Sequence, residues 1–558
     1  MPKTLSRALK LPLACLLLHL AGASTAYASD PASQQLREQR QATEQFERQQ
    51  RLHRWQRQGQ ANQSPADSSP DQTDGPCFPI SGLRLAGNRK LSASELERTL
   101  RPLLQPCLNV PAINQLLRAI TQRYVQAGYP LARPYLRSAP RPGEPLDILI
   151  VEGHVEAIEL TEPLPLSLQG AFPALLGQPL HLPDLEQGLD QLNRLRAYEV
   201  TAELLPGQAP GATQVALTPR QVRSRWHLEG RFDNRGSELT GRNRLNLGLG
   251  IDSPLGLNDD LRLSQLATVL GAPGQSRGLS LYYNIPYGPW SFTLNASQLS
   301  YSAPLPNGLQ AEGGSRFQGL AAERLLWRNQ HGMLSAGVRL DRKQLENQLK
   351  GQQLKVQSTT LTTLDAGLNL LWLEHGLWSA SLGISQGIDA LGADHTIRAR
   401  RAPQPDFRKY RASLLYLAQA PPAPPWRWQS ELNLQYSPDF LPAVEQLALN
   451  DDSAVRGVRQ LTVTGASGAV WRNTLSYPIT LASSPTVQLR PFLGVDLGWA
   501  RFDQGSPSQR LAGSAIGLEL SLPGNRIRLD YQRALYASDL PRRALEPGYW
   551  GLEWALDL

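Results

Sequence analysis

Leu364-Asp365-Ala366-Gly367-Leu368-Asn369-Leu370-Leu371-Trp372, followed by the turn Glu374-His375-Gly376, decides the fold of this chain. Leu364, Ala366, Leu368, Leu370 and Trp372 hold alternate positions, and Trp378, Ala380, Leu382 and Ile384 resume the alternation after the turn. A repeat of two marks a strand, whose successive side chains point to opposite faces. The same pattern runs through Leu245, Leu247, Leu249 and Ile251, set between Asn246, Gly248 and Gly250, and through Leu552, Trp554, Leu556 and Leu558. One face is apolar and the other small or polar, which fits lipid outside and a wet lumen inside. Residues 222–558 hold about sixteen strands of roughly ten residues each, with their connections. A soluble β-sandwich or propeller shares this period. The aromatic-rich turn Pro286-Tyr287-Gly288-Pro289-Trp290 and an export signal favour a transmembrane antiparallel β-barrel instead.

That signal stands at residues 1–28. Lys3, Arg7 and Lys10 precede the apolar run Leu11 to Leu20, and Ala26-Tyr27-Ala28 offers a cleavage site. The run is too short to span a bilayer as a helix. Its removal takes Cys15 away and leaves Cys77 and Cys107. An even count in an exported chain predicts one disulfide. The formal charge of +8 loses three positives with the signal, too diffuse a surplus to imply a nucleic-acid partner.

Between signal and barrel the composition changes three times. Residues 29–57 are rich in Gln, Arg and Glu, and Leu36, Phe46, Leu52 and Trp55 form no continuous stripe. A helix polar all round has no place in an ordinary core. The segment is either a polar tail or a helix lodged in a watery lumen, and we expect the second, a plug. Residues 58–75 are a flexible linker of Gln, Ser, Asp, Pro, Asn and Gly. Residues 76–153 predict a small α+β domain: a strand at Leu83-Arg84-Leu85, a capping box at Ser92 and Glu95, helical spacing through Ile113, Leu116, Leu117, Ile120 and Tyr124, and a closing strand Leu146 to Val151. Residues 154–221 repeat that order, with a helix expected from Asp184 to Leu195, so the pair reads as a tandem module.

Late in the barrel region, Val455-Arg456-Gly457 follows Leu441-Pro442-Ala443-Val444-Glu445-Gln446-Leu447. Further on, Gly494-Val495-Asp496-Leu497-Gly498 lies in strand-like surroundings. A buried arginine needs a carboxylate, because an unpaired charge away from water is costly. Asp496 is the natural partner.

These segments together resemble the TpsB transporters of two-partner secretion, within the outer-membrane superfamily of POTRA-plus-barrel proteins. The first module resembles POTRA 1 through its cysteine pair, Gly128-Tyr129 and Val151-Glu152-Gly153. The second resembles POTRA 2 through the run Asp184 to Leu195 and Pro206-Gly207 before Gly211. Val455-Arg456-Gly457 is similar to the motif of the long sixth extracellular loop, and Gly494, Asp496 and Gly498 to the strand that receives it. Val458 stands where the family usually has an aromatic residue, and Leu558 ends the chain where such barrels often end in one.

The resemblance implies an outer-membrane transporter with periplasmic modules, probed by an unfolded partner. That partner is a large exoprotein of adhesin or haemolysin type, and its folding outside the cell supplies the energy. Asp184, Glu186, Gln187, Asp190, Asn193 and Arg194 become expected substrate contacts. Arg456 with Asp496 becomes a loop lock. Outer-membrane lipid is the other partner, and a monomer is expected.

No phosphate-binding loop, zinc-protease motif or nucleophile elbow appears, and the eight histidines lack ligand spacing. We therefore expect no catalysis, cofactor or metal. A barrel-assembly insertase would carry more modules than fit between 76 and 221. A passive solute porin would need neither modules nor an arginine loop.

Overall fold

The computed structural model describes residues 31–58 and 77–558, apart from 272–273, 306–307, 330, 356, 396–402, 420–424, 451–452, 482–483 and 539, and without the side chains of 53–58, 419 and 542. The expected signal, and the linker beyond Gln58, lie outside the described residues.

The described residues open with helix α1 (Pro31–Gln58). In the first module, α2 (Ala93–Leu100) and α3 (Val110–Gln126) cover a sheet of β1 (Leu83–Ala86), β2 (Arg133–Leu136) and β3 (Leu146–Val151). The order is β1-β3-β2, with β1 parallel and β2 antiparallel to β3. Ser92 caps α2 by accepting from the Glu95 N–H, and Asn109 caps α3. Leu96, Leu100, Leu116, Ile120 and Ile148 fill the core. Cys77 is bonded to Cys107. Glu152 accepts from the Tyr124 hydroxyl at 2.9 Å and the Lys90 amide at 2.6 Å, tying α3 to the end of β3. Burial, reinforced by that carboxylate, pushes the Tyr124 hydroxyl above the ordinary phenol range.

The second module repeats the plan. β4 (His154–Leu160), β5 (Tyr198–Pro206) and β6 (Ala212–Val222) form a sheet in the order β4-β6-β5, β4 being parallel and β5 antiparallel to β6. The short α4 (Leu168–Ala171) and α5 (Leu182–Asn193) lie against it. Identical strand orders in the two sheets explain the repeat seen in sequence.

Sixteen antiparallel strands then close a barrel. They are β7 (Trp226–Asp233), β8 (Arg244–Asp252), β9 (Asp260–Thr268), β10 (Gln275–Tyr287), β11 (Trp290–Leu305), β12 (Leu309–Arg328), β13 (Gly332–Leu349) and β14 (Thr359–Leu373). The others are β15 (Leu377–Gly387), β16 (Arg408–Gln419), β17 (Arg427–Tyr436), β18 (Ser467–Ser476), β19 (Val487–Arg501), β20 (Ser508–Leu522), β21 (Asn525–Ala537) and β22 (Tyr549–Asp557). β22 pairs with β7, and Leu558 and Leu228 exchange both backbone hydrogen bonds at the closure. In β14, Leu364, Leu368 and Leu370 face outward while Thr363 and Asp365 are buried inside. At the strand ends nearest the second module, Trp327 stacks on Trp372 with centroids 6.0 Å apart and Trp378 meets Tyr416 at 4.2 Å. Amphipathic rings there form the kind of belt that sits at a membrane–water boundary.

Candidate functional site in the barrel lumen

The connection from β17 to β18 turns back into the barrel. A single 3-10 turn, Ala443–Glu445, and a short ladder joining Leu447–Ala448 to Thr464–Gly465 give it shape. At its inner end Arg456 meets Asp496 of β19. Its Nε and one terminal nitrogen donate to the two carboxylate oxygens at 2.6 and 2.5 Å, and its backbone N–H donates at 2.9 Å. The remaining donors reach Thr474 Oγ1 at 3.2 Å and the Asn473 carbonyl at 2.9 Å. Arg456 is 4 % exposed and Asp496 fully buried. The planar guanidinium suits this fork, since two parallel bonds fix its direction as well as its distance.

The glycines make room for it. A Cβ on Gly494 would stand 2.2 Å from an Arg456 terminal nitrogen, and one on Gly498 2.6 Å from a Val455 methyl. Gly457 has φ +87°, and a Cβ there would strike the backbone of Arg533 at 2.2 Å. Its N–H donates to Gln532 Oε1 at 3.1 Å. Around the pair, Val455 and Val458 pack with Leu449, Ala454, Val463, Val470 and Leu511 in a buried apolar cluster. Val458 thus fills part of that cluster without an aromatic ring.

Helix α1 lies inside the same lumen. Salt bridges join it to the wall: Arg48 to Glu431 at 2.7 Å, Glu47 to Arg339 at 2.9 Å, Glu38 to Arg244 at 2.9 Å, Glu44 to Arg411 at 3.3 Å and Arg51 to Glu323 at 3.3 Å. It also touches the inturned loop. Arg37 donates to the Ala443 carbonyl at 2.7 Å, Arg40 lies 3.6 Å from Glu445, and Ser453 donates to Gln41 at 2.7 Å. Glu445 is bound as well by Lys343 of β13 and Lys409 of β16. Ala32 and Leu36 supply a small apolar contact with Tyr301, Phe317, Leu345 and Leu361. Beside the helix a cavity of 1910 Å³ opens along the wall.

The residues expected to touch substrate sit mostly at the seam between second module and barrel. Asp190 and Glu186 of α5 pair with Arg328 at the end of β12, the latter at 3.5 Å. Burial raises the Glu186 carboxyl, with Arg328 opposing. Gln187 and Gln191 both donate to the Gly288 carbonyl in the β10–β11 turn. Arg194 reaches Asn284, and the Asn258 carbonyl at 2.7 Å. Asn193 turns inward and brackets the Val200 backbone at 2.6 and 2.9 Å. Only Asp184 is exposed, 3.0 Å from His181. The physical reason is the helix's seat: the polar face of α5 lies on the barrel's turns, where its side chains find partners.

Residues 211–520 match the family described as haemolysin secretion/activation protein ShlB/FhaC/HecB, after a ShlB-type POTRA domain at 78–153 and a second POTRA domain at 154–206. The chain belongs to this family. It is 32 % identical over 468 residues to the hemolysin transporter protein HpmB of Proteus mirabilis, covering 82 % of each chain. It is 33 % identical over 473 residues to the hemolysin transporter protein ShlB of Serratia marcescens, covering 84 % of this chain and 82 % of the relative. The solved structure of CdiB from Escherichia coli superposes with a TM-score of 0.86 at 26 % identity, over 94 % of this chain and 98 % of that one. As a ShlB/FhaC/HecB member the chain is an outer-membrane transporter of two-partner secretion, with its POTRA modules on the periplasmic side.

Several residues around the family's loop motif escaped sequence reading. Gly513 of β20 admits the Arg456 carbonyl, which lies 1.8 Å from the place of a Cβ. Glu546 accepts the backbone N–H groups of Arg459, Gln460 and Leu461 at 2.8, 2.9 and 2.5 Å, holding the loop just beyond Arg456. Arg459 also lies over the Tyr549 ring at 3.8 Å. A lone glycine in a strand and a lone glutamate in a loop carry no spacing that would mark them.

Proposed function

We propose that this transporter exports a large exoprotein of adhesin or haemolysin type, one unfolded chain through one monomeric barrel, with no chemical step catalysed. The relatives' names as hemolysin transporters support the cargo class. The observation that carries the reading is the contrast within the lumen. Helix α1 is held largely by ion pairs beside a large polar-lined cavity, while the Arg456 loop is held by a buried apolar cluster. In our reading α1 plugs the resting conduit and leaves during transport, and the Arg456–Asp496 pair keeps the loop in place.

The modules receive the cargo. In each sheet the central strand is paired on both sides and the outer strands have one partner in the sheet. Such edges take an extended chain by strand addition, which tolerates any register and suits an unfolded substrate. The α5 side chains on the seam serve in this scheme to seat the second module over the barrel mouth. Lipid covers the outward leucines and tryptophans.

Co-expression with a large exoprotein encoded beside this gene, followed by assay of the medium, tests the reading. Export that depends on this chain is expected. A variant lacking 154–220 is expected to insert and export nothing. Cargo left in the periplasm by the intact transporter would refute the assignment.

A further inference from the structure

The lumen holds a second cluster that the transport scheme does not use. His227 lies on β7, Asp252 ends β8 and Asp260 begins β9. One ligand atom from each lies within 4.8 Å of the others. The three residues are 7 %, 1 % and 2 % exposed. Asp252 and Asp260 are direct cross-strand partners, an arrangement that opposes two like charges. His227 is aimed at them across Gly250: a Cβ on that glycine would stand 1.8 Å from the imidazole Nε2. Both His227 ring nitrogens are buried with no hydrogen-bond partner among the described residues. A buried imidazole with both nitrogens unmet is costly in a protein interior and suited to a metal.

The surrounding charges leave room for a cation. Asp252 accepts from the Ala197 N–H of the second module at 2.8 Å. Asp260 accepts from Arg262 Nε at 3.2 Å and from Gln50 of α1 at 3.3 Å. Arg262 is shared with Glu229 at 3.4 Å, and Arg196 also pairs with Glu229. Two buried carboxylates thus face one divided guanidinium.

We propose that His227, Asp252 and Asp260 bind a divalent transition metal of the zinc class. Imidazole nitrogen and aspartate oxygen are both ligands of such ions, and three of them leave a fourth tetrahedral position for water. Magnesium and calcium prefer all-oxygen shells. The ion ties the first barrel strand to the β8–β9 hairpin and, through Asp252, to the second module. It is structural, at the junction where module meets conduit.

The test uses the full chain in detergent, stripped with a chelator and dialysed against micromolar zinc. Metal analysis is expected to find one equivalent retained, and cobalt titration to give the visible absorption of a bound ion. His227→Ala and the near-isosteric Asp252→Asn are each expected to weaken retention by at least the roughly 10–100-fold that loss of even an outer-shell partner costs. Heat-modifiable gel mobility shows that each variant barrel is folded. Zinc retained equally by parent and both variants, or by none of them, overturns the proposal. Displacement of zinc by millimolar magnesium or calcium overturns the assignment of metal class.

Discussion

Arg456→Ala is the sharpest perturbation of the loop. It removes two bonds to Asp496, at 2.6 and 2.5 Å, and those to Thr474 and the Asn473 carbonyl. It also leaves a fully buried carboxylate whose remaining contact here is the backbone N–H of residue 456. Breaking a buried pair from one side costs about 3–5 kcal/mol. At about 1.4 kcal/mol per tenfold, the docked loop loses on the order of a hundred- to a few-thousand-fold in population. Val458, buried in the cluster, reports this directly when changed to cysteine, because Cys77 and Cys107 are in a disulfide and Cys15 lies in the expected signal. The labelling rate of Val458→Cys by an impermeant maleimide on whole cells is expected to rise by that factor in the Arg456→Ala background, and secretion is expected nearly to cease at equal barrel abundance. Arg456→Lys is not expected to restore either, since an ammonium lacks the planar fork. Arg456→Ala with Asp496→Ala is expected to label more slowly than Arg456→Ala alone, because no unpaired carboxylate remains. Unchanged labelling with parental secretion in Arg456→Ala would refute the lock.

Gly494→Ala retains every charge but places a methyl 2.2 Å from the guanidinium, so it is expected to copy the secretion defect of Arg456→Ala; normal export would show that the guanidinium has another seat. Deleting 31–57 is expected to raise single-channel conductance in planar bilayers with secretion largely kept, and equal conductance would remove the plug from the mechanism. Arg328→Ala leaves Asp190 and Glu186 without their shared cation and is expected to loosen the seam by roughly 3 kcal/mol, read as faster protease cleavage after Val222; unchanged cleavage would mean the turn contacts suffice. Replacing Cys77 and Cys107 with serine is expected to destabilise the first module by about 3–4 kcal/mol, measured by denaturant unfolding of the exported protein under non-reducing conditions.

The barrel was legible because its two solvents differ. Lipid and lumen impose opposite chemistry on alternate residues, and Leu364, Asp365 and Leu368 announce it before any contact is known. Helix α1 was legible for the complementary reason, being too polar for a core. The seam was not. Asp190, Gly288 and Arg328 come from a helix, a turn and a strand end, and their meeting depends on how the module is seated. An exposed-looking polar helix face such as that of α5 reads equally well as a substrate surface. The cluster of His227, Asp252 and Asp260 failed for the same reason. Ligand spacing in sequence reveals sites on one helix or one knuckle, whereas this set is assembled by barrel register. Glu445 is in sequence one residue of a loop; the three cations around it arrive from α1, β13 and β16.

That glutamate separates what can leave the lumen from what stays. In the proposed departure of α1, Glu445 loses Arg40 and keeps Lys343 and Lys409. Asp341, fully buried and 3.5 Å from Arg40, keeps Lys343 at 4.0 Å, and Asp365 keeps Arg411 at 3.0 Å. The part-buried pairs of Arg48, Glu47 and Glu38 line the cavity, and each exchanges one partner for water. Helix departure therefore leaves each of these buried acids a cation, and its apolar losses are the contacts of Ala32 and Leu36, of Phe46 with Tyr282, and of Leu52 with Leu371 and Leu377. Loop departure is different in kind. It opens the cluster around Val455 and leaves Asp496 without its arginine, so the burial and charge terms oppose it together. A conduit that must open for a chain and keep its shape while doing so needs this asymmetry. In the proposed mechanism the element that moves is bound mainly through groups that water can replace, and the element that remains is bound through groups that it cannot.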